Sequence, residues 1–346
     1  MTLKEVSEKT GVPYRGDPDC PVLGIKDTSR LNKETPLADG YIYFIEKQQY
    51  LENINSDKNE SIALGAKEET ETFKNALVVE KDARLDFINL LNLFDKSKSF
   101  EQSNTDSLVH PKSKIGENTL IYPGAIVMQG AQIGDNCVIF PGAIIEYECK
   151  IGNNSTVRSG AIIGHHCVVG NHCIVYENSV IGSDGFGHYD VNQKQYKIPQ
   201  IGSVHLADYV EVGACTAIDR GTIEETSVGE YSKIDNHVQV GHNCIIGKNV
   251  YIAGKASLSG SITVGDKAIL AGGCGIADHI NIAPDSIILA GAGVIEDTEG
   301  GKMYFGYPAR PAREMHRINK SLGQLPDLIK RLKQVEQSLN GSNSSD

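Results

Sequence analysis

Acid–base chemistry is the reaction type that the histidines of this sequence indicate. The 346-residue chain contains ten histidines, and one of them, His242, has Asp235 and Gln239 close before it. A neutral imidazole oriented by a carboxylate can act as a general base near neutral pH. We therefore expect His242 to be a catalytic base, with Asp235 and Gln239 nearby.

A repeat of six residues must position these groups. An aliphatic residue recurs at every sixth position, without a miss, from Ile115 to Ile181 and again from Val228 to Val294. Three further members lie between the two runs: Leu206, Val212 and Ile218. The fourth position of each hexad is rich in Gly and Asn, which tolerate the positive φ of a corner. Such a short fixed period predicts a mainly β fold, a parallel β-helix with three hexads in each coil.

The hexad frame also sorts the histidines. The fourth, corner position holds four of them, for which turn geometry alone is a sufficient explanation: His166, His172, His237 and His279. His242 instead occupies the third position, at the surface. Its hexad lies two coils before that of His279, so the two side chains are predicted on one face. One coil before His242, the extra segment Ile223–Ser227 interrupts the frame and predicts a notch beside it.

The cysteines fit the same frame. Six of the eight fall on the fifth position, where other hexads have Ala, Ser or Thr: Cys137, Cys149, Cys167, Cys173, Cys244 and Cys274. We interpret them as small core residues rather than as metal ligands or disulfides, since no CxxC pair occurs. We expect no bound metal.

Composition excludes several functional classes. A net charge of −11 argues against a general nucleic-acid-binding protein. No apolar run is long enough to span a membrane, and residues 1–12 do not resemble a signal peptide. We expect a cytoplasmic protein without stable membrane insertion.

The chain divides into three predicted domains. Residues 1–104 lack the repeat and are predicted to form an α/β domain followed by a polar linker. Its predicted elements are helices at Leu3–Thr10 and Leu85–Phe94 and strands at Gly24–Thr28, Gly40–Ile45 and Ala76–Val79. Residues 105–308 form the β-helix, from which Gly187–Ser203 is predicted to protrude as a loop. Residues 309–346 are predicted to contain two helices, Pro311–Leu322 and Asp327–Leu339.

The C-terminal segment is basic in an acidic chain. From Lys302 to Val335 there are eight Lys or Arg residues and two acidic ones. Two alternatives explain this asymmetry. The segment is either a solvated helix surface with a trimeric seam or a docking patch for an acidic partner.

Four motifs resemble those of a known family. They are GSDGFG (182–187), KIPQ (197–200), VEVGACTAIDRG (210–221) and IDNHVQVGHN (234–243). They are similar to the bacterial UDP-3-O-(3-hydroxyacyl)glucosamine N-acyltransferases of lipid A biosynthesis. The resemblance covers nearly the whole chain. It implies a homotrimer built from a uridine-binding domain, a left-handed β-helix and C-terminal helices.

The resemblance also implies an activity and its partners. The family transfers a 3-hydroxyacyl chain to the 2-amino group of a UDP-linked, 3-O-acylated glucosamine. The acyl chain is carried on the 4′-phosphopantetheine of acyl carrier protein, and no cofactor is bound to the enzyme itself.

Site residues follow from the same resemblance. The catalytic base falls on His242, a carboxylate that orients it falls on Asp235, and a second histidine near the thioester falls on His279. Gln239 and Asn243 would contact the sugar or its neighbourhood.

The family's remaining contacts fall at the two ends of the chain. Phe44 and Tyr50 match an aromatic pair that holds uracil, although Lys47 stands in a segment that departs from the family pattern. The basic C-terminal segment would dock acyl carrier protein through three arginines: Arg310, Arg313 and Arg317.

Two other functions are consistent with a β-helix. A sister O-acyltransferase acts on UDP-N-acetylglucosamine but has no preceding uridine-binding domain, so residues 1–100 argue against it. The γ-type carbonic anhydrases bind zinc through three histidines, and His205, His237 and His242 have a similar spacing.

Overall fold

The computed structural model describes residues 1–26, 28, 31, 36–45, 61–95, 108–306 and 312–342. The chain forms two compact units, Met1–Phe305 and Gly306–Asp346. No helix in these described ranges is both long and apolar enough to cross a membrane.

The N-terminal part is a small α/β domain, as predicted. Its five-stranded sheet has the order β1-β5-β4-β3-β2, in which only β1 runs antiparallel to its neighbour. The elements are α1 (Leu3–Thr10), β1 (Tyr14–Arg15), β2 (Gly24–Lys26), β3 (Tyr41–Phe44), β4 (Ile62–Ala66), α2 (Lys67–Thr70), β5 (Asn75–Val79) and α3 (Ala83–Phe94). The three predicted strands and both predicted helices are confirmed, whereas β1, β4 and α2 were not predicted. Helix α3 begins earlier than predicted because the Asp82 carboxylate accepts the N–H groups of Arg84 and Leu85.

The repeat region is a parallel β-helix with three faces. Face 1 contains β6 (Lys114–Ile115), β9 (Gln132–Ile133), β12 (Lys150–Ile151), β15 (Val168–Val169), β20 (Ser203–Leu206), β23 (Glu225–Val228), β26 (Ile245–Ile246), β29 (Thr263–Val264) and β32 (Asn281–Ile282). Face 2 contains β7 (Leu120–Ile121), β10 (Val138–Ile139), β13 (Thr156–Val157), β16 (Ile174–Val175), β21 (Glu211–Val212), β24 (Lys233–Ile234), β27 (Tyr251–Ile252), β30 (Ile269–Leu270), β33 (Ile287–Ile288) and β35 (Met303–Tyr304). Face 3 contains β8 (Ile126–Val127), β11 (Ile144–Ile145), β14 (Ile162–Ile163), β17 (Val180–Ser183), β22 (Ala217–Asp219), β25 (Gln239–Val240), β28 (Ser257–Leu258), β31 (Gly275–Ile276) and β34 (Gly293–Val294).

The hexad frame predicted the interior correctly. The aliphatic residues stack in register along the axis, as Ile145 does on Ile163, and both are fully buried. Corner residues such as Asn118 and Asn243 have positive φ values of 54° and 60°. All six framed cysteines are buried. Burial raises the pKa of Cys167 to about 11, so this side chain remains a thiol at neutral pH.

The predicted loop Gly187–Ser203 contains a β-hairpin that was not predicted. Strands β18 (His188–Val191) and β19 (Lys194–Lys197) pair antiparallel. The turn residues Asn192 and Gln193 both have positive φ, the geometry of a type I′ turn, whose twist matches that of the two strands.

The two interruptions join the β-helix to the N-terminal domain. Ile198 and Ile201 from the first interruption, and Ile223 from the second, pack against the core formed by α1, α3 and the small sheet. The breaks in the repeat therefore place the α/β domain against one edge of the β-helix.

In the described part of the C-terminal unit there is one helix, α4 (Ala312–Ser342), which runs through both predicted helices, so the prediction of two helices is wrong. Pro326 lies inside it. Proline removes one backbone hydrogen bond from a helix but can be accommodated as a local kink. Apolar side chains along α4 are exposed: Leu322, Leu325, Leu328, Ile329, Leu332 and Val335.

Stability should depend on the inward residue of each two-residue strand. In β26, Ile246 points inward and is 2% exposed, whereas Ile245 points outward and is 36% exposed. We expect Ile246→Ala to remove about 2–5 kcal/mol of stability, because it leaves a cavity in a packed column. Ile245→Ala is the control from the same strand and should cost about 1 kcal/mol or less. Thermal unfolding of both variants tests this, and equal shifts in melting temperature would contradict the inward assignment.

Candidate active site

His242 and His279 lie on the same edge of the β-helix, as predicted. Each follows a face 3 strand and precedes a face 1 strand, and their hexads are stacked through the register Val240–Leu258–Ile276. We call this edge the 3–1 corner. Both histidines line a cavity of about 380 Å³ between the β-helix and the N-terminal domain.

Two glycines confine the His242 imidazole. A Cβ atom at Gly260, one coil later, would lie 2.7 Å from Nε2 of His242. A Cβ atom at Gly185, in the GSDGFG segment, would lie 2.6 Å from Cβ of His242. Real Cβ atoms do not approach other atoms so closely, so only glycine at these two positions leaves the ring where it is.

Hydrogen bonds also determine which His242 nitrogen carries the proton. Nδ1 lies 3.0 Å from Oδ1 of Asn243, and this oxygen also accepts the N–H of Thr222 at 3.0 Å. The Thr222 N–H requires an acceptor, which fixes the orientation of the Asn243 amide. An amide oxygen only accepts, so the neutral imidazole carries its hydrogen on Nδ1 and a lone pair on Nε2. In this tautomer Nε2 can accept a proton.

The notch predicted beside His242 is present. Thr222, just before the second interruption, and Ile223, its first residue, line the same cavity as His242. Asn243 is anchored there by its own N–H, which donates to Oγ1 of Thr226. The interruption thus contributes both the wall of the cavity and the groups that orient the base.

Within a single chain, Asp235 does not contact His242. It follows a face 2 strand and lies at the corner before face 3, one corner away from His242. Its carboxylate accepts the N–H of Gly254, and it lines a different cavity of about 490 Å³. A chain that turns every six residues carries neighbours in sequence to different edges. The orienting contact is made by Asn243 instead.

The N-terminal domain contributes an aromatic wall. Phe44 lines the cavity of His242 and His279, and its ring stacks on Phe87 with the centroids 4.3 Å apart. One face of Phe44 is therefore covered by Phe87, and a planar ligand could stack only on the other face. Tyr50 and Lys47 lie outside the described residues.

A second cavity opens at the same corner. It has a volume of about 800 Å³ and is also lined by His242 and His279, together with Gln239 and Asp219. Gln239 donates through Nε2 to Asp219 at 2.9 Å, and Ser183 donates to the same carboxylate at 2.6 Å. Asp219 was missed from the sequence. Its frame position, one coil before Gly241 on the His242 corner, is a signal that could have found it.

The other predicted residues lie elsewhere or outside the description. His237 is at the corner of Asp235, and His205 lies on face 1, so the chain alone does not bring them to His242. The described ranges contain no group of three His, Cys, Asp or Glu that could hold a metal ion. Arg317 is exposed on α4, whereas Arg310 and the side chain of Arg313 are not described.

Comparison with known families matches two parts of the repeat region. Residues 103–194 match the GMPPB C-terminal domain, and residues 225–260 match the bacterial transferase hexapeptide of six repeats. A solved UDP-N-acetylglucosamine acyltransferase from Arabidopsis shares the fold, with a TM-score of 0.53 and 20% identity. That alignment covers 59% of this chain and 71% of the Arabidopsis chain.

Curated relatives give a more specific match. UDP-3-O-acylglucosamine N-acyltransferases from Campylobacter curvus, Campylobacter jejuni and Neisseria gonorrhoeae are 40%, 51% and 48% identical over 143, 128 and 163 residues. These alignments cover 41%, 37% and 46% of this chain, and 45%, 40% and 47% of the relatives. The chain thus matches less than half the length of each. The matched parts of this chain are thus similar to the bacterial transferase hexapeptide and to parts of the UDP-3-O-acylglucosamine N-acyltransferases.

Proposed function

We propose that this protein transfers a 3-hydroxyacyl chain from acyl carrier protein to the 2-amino group of UDP-3-O-acylglucosamine, with His242 as the general base. One observation carries the proposal. A histidine with a free Nε2 and a second histidine on the same edge share a cavity with an aromatic wall from the N-terminal domain. The names of the curated relatives support the same activity.

The reaction needs a base and hydrogen-bond donors that stabilise the transient negative charge. The amine lone pair attacks the thioester carbonyl carbon, and Nε2 of His242 takes the proton from the nitrogen. As the carbonyl re-forms, the C–S bond breaks and the protonated His242 returns the proton to the leaving thiolate. The transient oxyanion requires hydrogen-bond donors close to the base. His279, which lines the same cavity, is the side chain we assign to the thioester end.

The acceptor would extend from the aromatic wall to His242. Uracil would stack on the open face of Phe44, while Gln239 and Asn243 lie near the sugar end. Lys26 and Arg84 line the same cavity and supply the positive charge that a diphosphate requires. The contact of Tyr50 with uracil remains a prediction.

The acyl donor would reach the 3–1 corner through the second cavity, on the side of face 3. The second cavity opens at His242 and His279 from face 3, where Ser257 and Gly260 are small. This space would accept the 4′-phosphopantetheine arm. Docking of acyl carrier protein on the basic helix α4, through Arg317 and its neighbours Arg310 and Arg313, remains part of the proposal.

A homotrimer is also proposed. Partly exposed aliphatic side chains follow one another on the outside of face 3: Ile126, Ile144, Ile162 and Val180. A contiguous apolar strip of this kind is a suitable surface for a second copy.

The role of His242 is tested by removing its imidazole. We expect His242→Ala to lower N-acyl transfer by roughly 10²–10⁴-fold, because a general base contributes about that much. Mass spectrometry of the acylated UDP-sugar measures the product, and circular dichroism confirms folding. His237→Ala is the matched control, and it should retain activity. A zinc-dependent reaction through His237 would instead require that this control be inactive.

The role of Asn243 is tested by a pair of corner variants. Asn243→Ala should lower kcat roughly tenfold or more, because His242 loses the acceptor that fixes its tautomer. Asn249→Ala removes an exposed asparagine with φ of 55° at the same hexad position, and so controls for corner strain. Asn243→Asp keeps an acceptor oxygen and should restore much of kcat. If Asn243→Ala raises KM for the sugar while kcat is unchanged, Asn243 binds the sugar and does not position His242.

A further inference from the structure

Asp219 occupies a distinctive place beside the base. It ends β22, whose Ile218 pairs with Val240 of the next coil, so Asp219 lies directly beneath Gly241, the residue before His242. The equivalent positions of the following two coils are Gly241 and Ser259. Because both residues are small, the carboxylate opens onto the second cavity, which it lines together with His242.

The Asp219 carboxylate has neutral partners only. Ser183 donates to one oxygen and Gln239 to the other. Among the described residues, neither a Lys nor an Arg forms an ion pair with it. Lys197, the cation that lines the same cavity, is bound to Asp184 instead.

Partial burial destabilises the ionised form of the Asp219 carboxylate. Desolvation raises the pKa of Asp219, while the hydrogen bonds from Ser183 and Gln239 and the nearby His242 lower it. A carboxylate has about four acceptor sites, and two of them are used here. A half-buried carboxylate with spare acceptor sites would be stabilised by a cation in the cavity.

We propose that Asp219 binds the amino group of the acceptor sugar and thereby selects an amine over a neutral substituent at that position. This assignment rests on the proposed function. When the amine attacks the thioester, positive charge develops on nitrogen before His242 takes the proton. Asp219 interacts with that charge, so its contribution is greater for an amine than for a hydroxyl group. Sequence motifs did not indicate this role.

Ligand binding tests the proposal independently of catalysis. Isothermal titration calorimetry at pH 7 compares UDP-glucosamine, which has a free amine, with UDP-N-acetylglucosamine, in which the amine is masked. The wild-type protein should bind UDP-glucosamine about tenfold more tightly, the effect of one hydrogen bond from the amine to the charged carboxylate. Asp219→Asn should abolish this preference by weakening UDP-glucosamine binding alone. Its unchanged affinity for UDP-N-acetylglucosamine would show that the site remains folded.

A second carboxylate provides the matched control. Asp278 lines the same cavity, and Asp278→Asn should keep the preference for the amine. The proposal is overturned if the preference is absent in the wild type, survives in Asp219→Asn, or is lost equally in Asp278→Asn. Weakened binding of both ligands to Asp219→Asn would show a structural role and would also overturn it. If neither UDP-sugar binds the wild-type protein, the proposed function itself fails.

Discussion

The inward stacking of one aliphatic side chain per hexad is the constraint on which the rest of the structure depends. The strands of the coils are mostly two residues long, so none is stable alone. Each is held by ladder hydrogen bonds to the coils before and after it, and by a buried column of Ile, Val and Leu. A slip of one residue would turn every aliphatic side chain toward solvent, so the register is strongly fixed. The fixed register stacks residues that are far apart in sequence, such as His242 and His279, on one edge.

The candidate site lies where this regular array is interrupted. The first interruption carries the hairpin and apolar residues that pack on the N-terminal domain, and the second adds Ile223 to the same contact. The α/β domain is thereby brought to the 3–1 corner, where it closes a cavity over His242. Thr222, just before the second interruption, supplies the N–H that fixes the Asn243 amide. The His242 imidazole is therefore oriented by a neutral amide and by a backbone group beside the break in the repeat.

The features that were predicted correctly from the sequence are those that the six-residue period determines. The period gave the buried column, the inward cysteines, the positive-φ corners and the common edge of His242 and His279. It also places Asp235 one corner away from His242 in the same chain, because a separation of one hexad moves a residue to the next corner. The expected contact between these two residues came from family resemblance and from proximity in sequence, and proximity does not place two residues on one edge of a fold that turns so often.

Other features depend on contacts that no local pattern records. The hairpin β18–β19 lies in a polar segment, and its pairing depends on a turn with two non-glycine residues at positive φ. Residues 311–322 and 327–339 were expected to form two helices, but the chain continues through Pro326 as one helix. Asp219 escaped notice because its access to the second cavity arises from the two small residues stacked above it, Gly241 and Ser259, which belong to later coils. Contacts between residues of separate coils can be recognised in the sequence only when the corner positions of successive coils are aligned.

The central claim is that the 3–1 corner catalyses acyl transfer to an amine. The most direct measurement is mass spectrometry of the products formed by the purified protein from a 3-hydroxyacyl-acyl carrier protein thioester. UDP-3-O-acylglucosamine and UDP-N-acetylglucosamine should be supplied in parallel as acceptors. We expect only UDP-3-O-acylglucosamine to gain the mass of one 3-hydroxyacyl group, through an amide that resists mild alkaline hydrolysis. Absence of an acylated product, or acylation of UDP-N-acetylglucosamine alone, would contradict it.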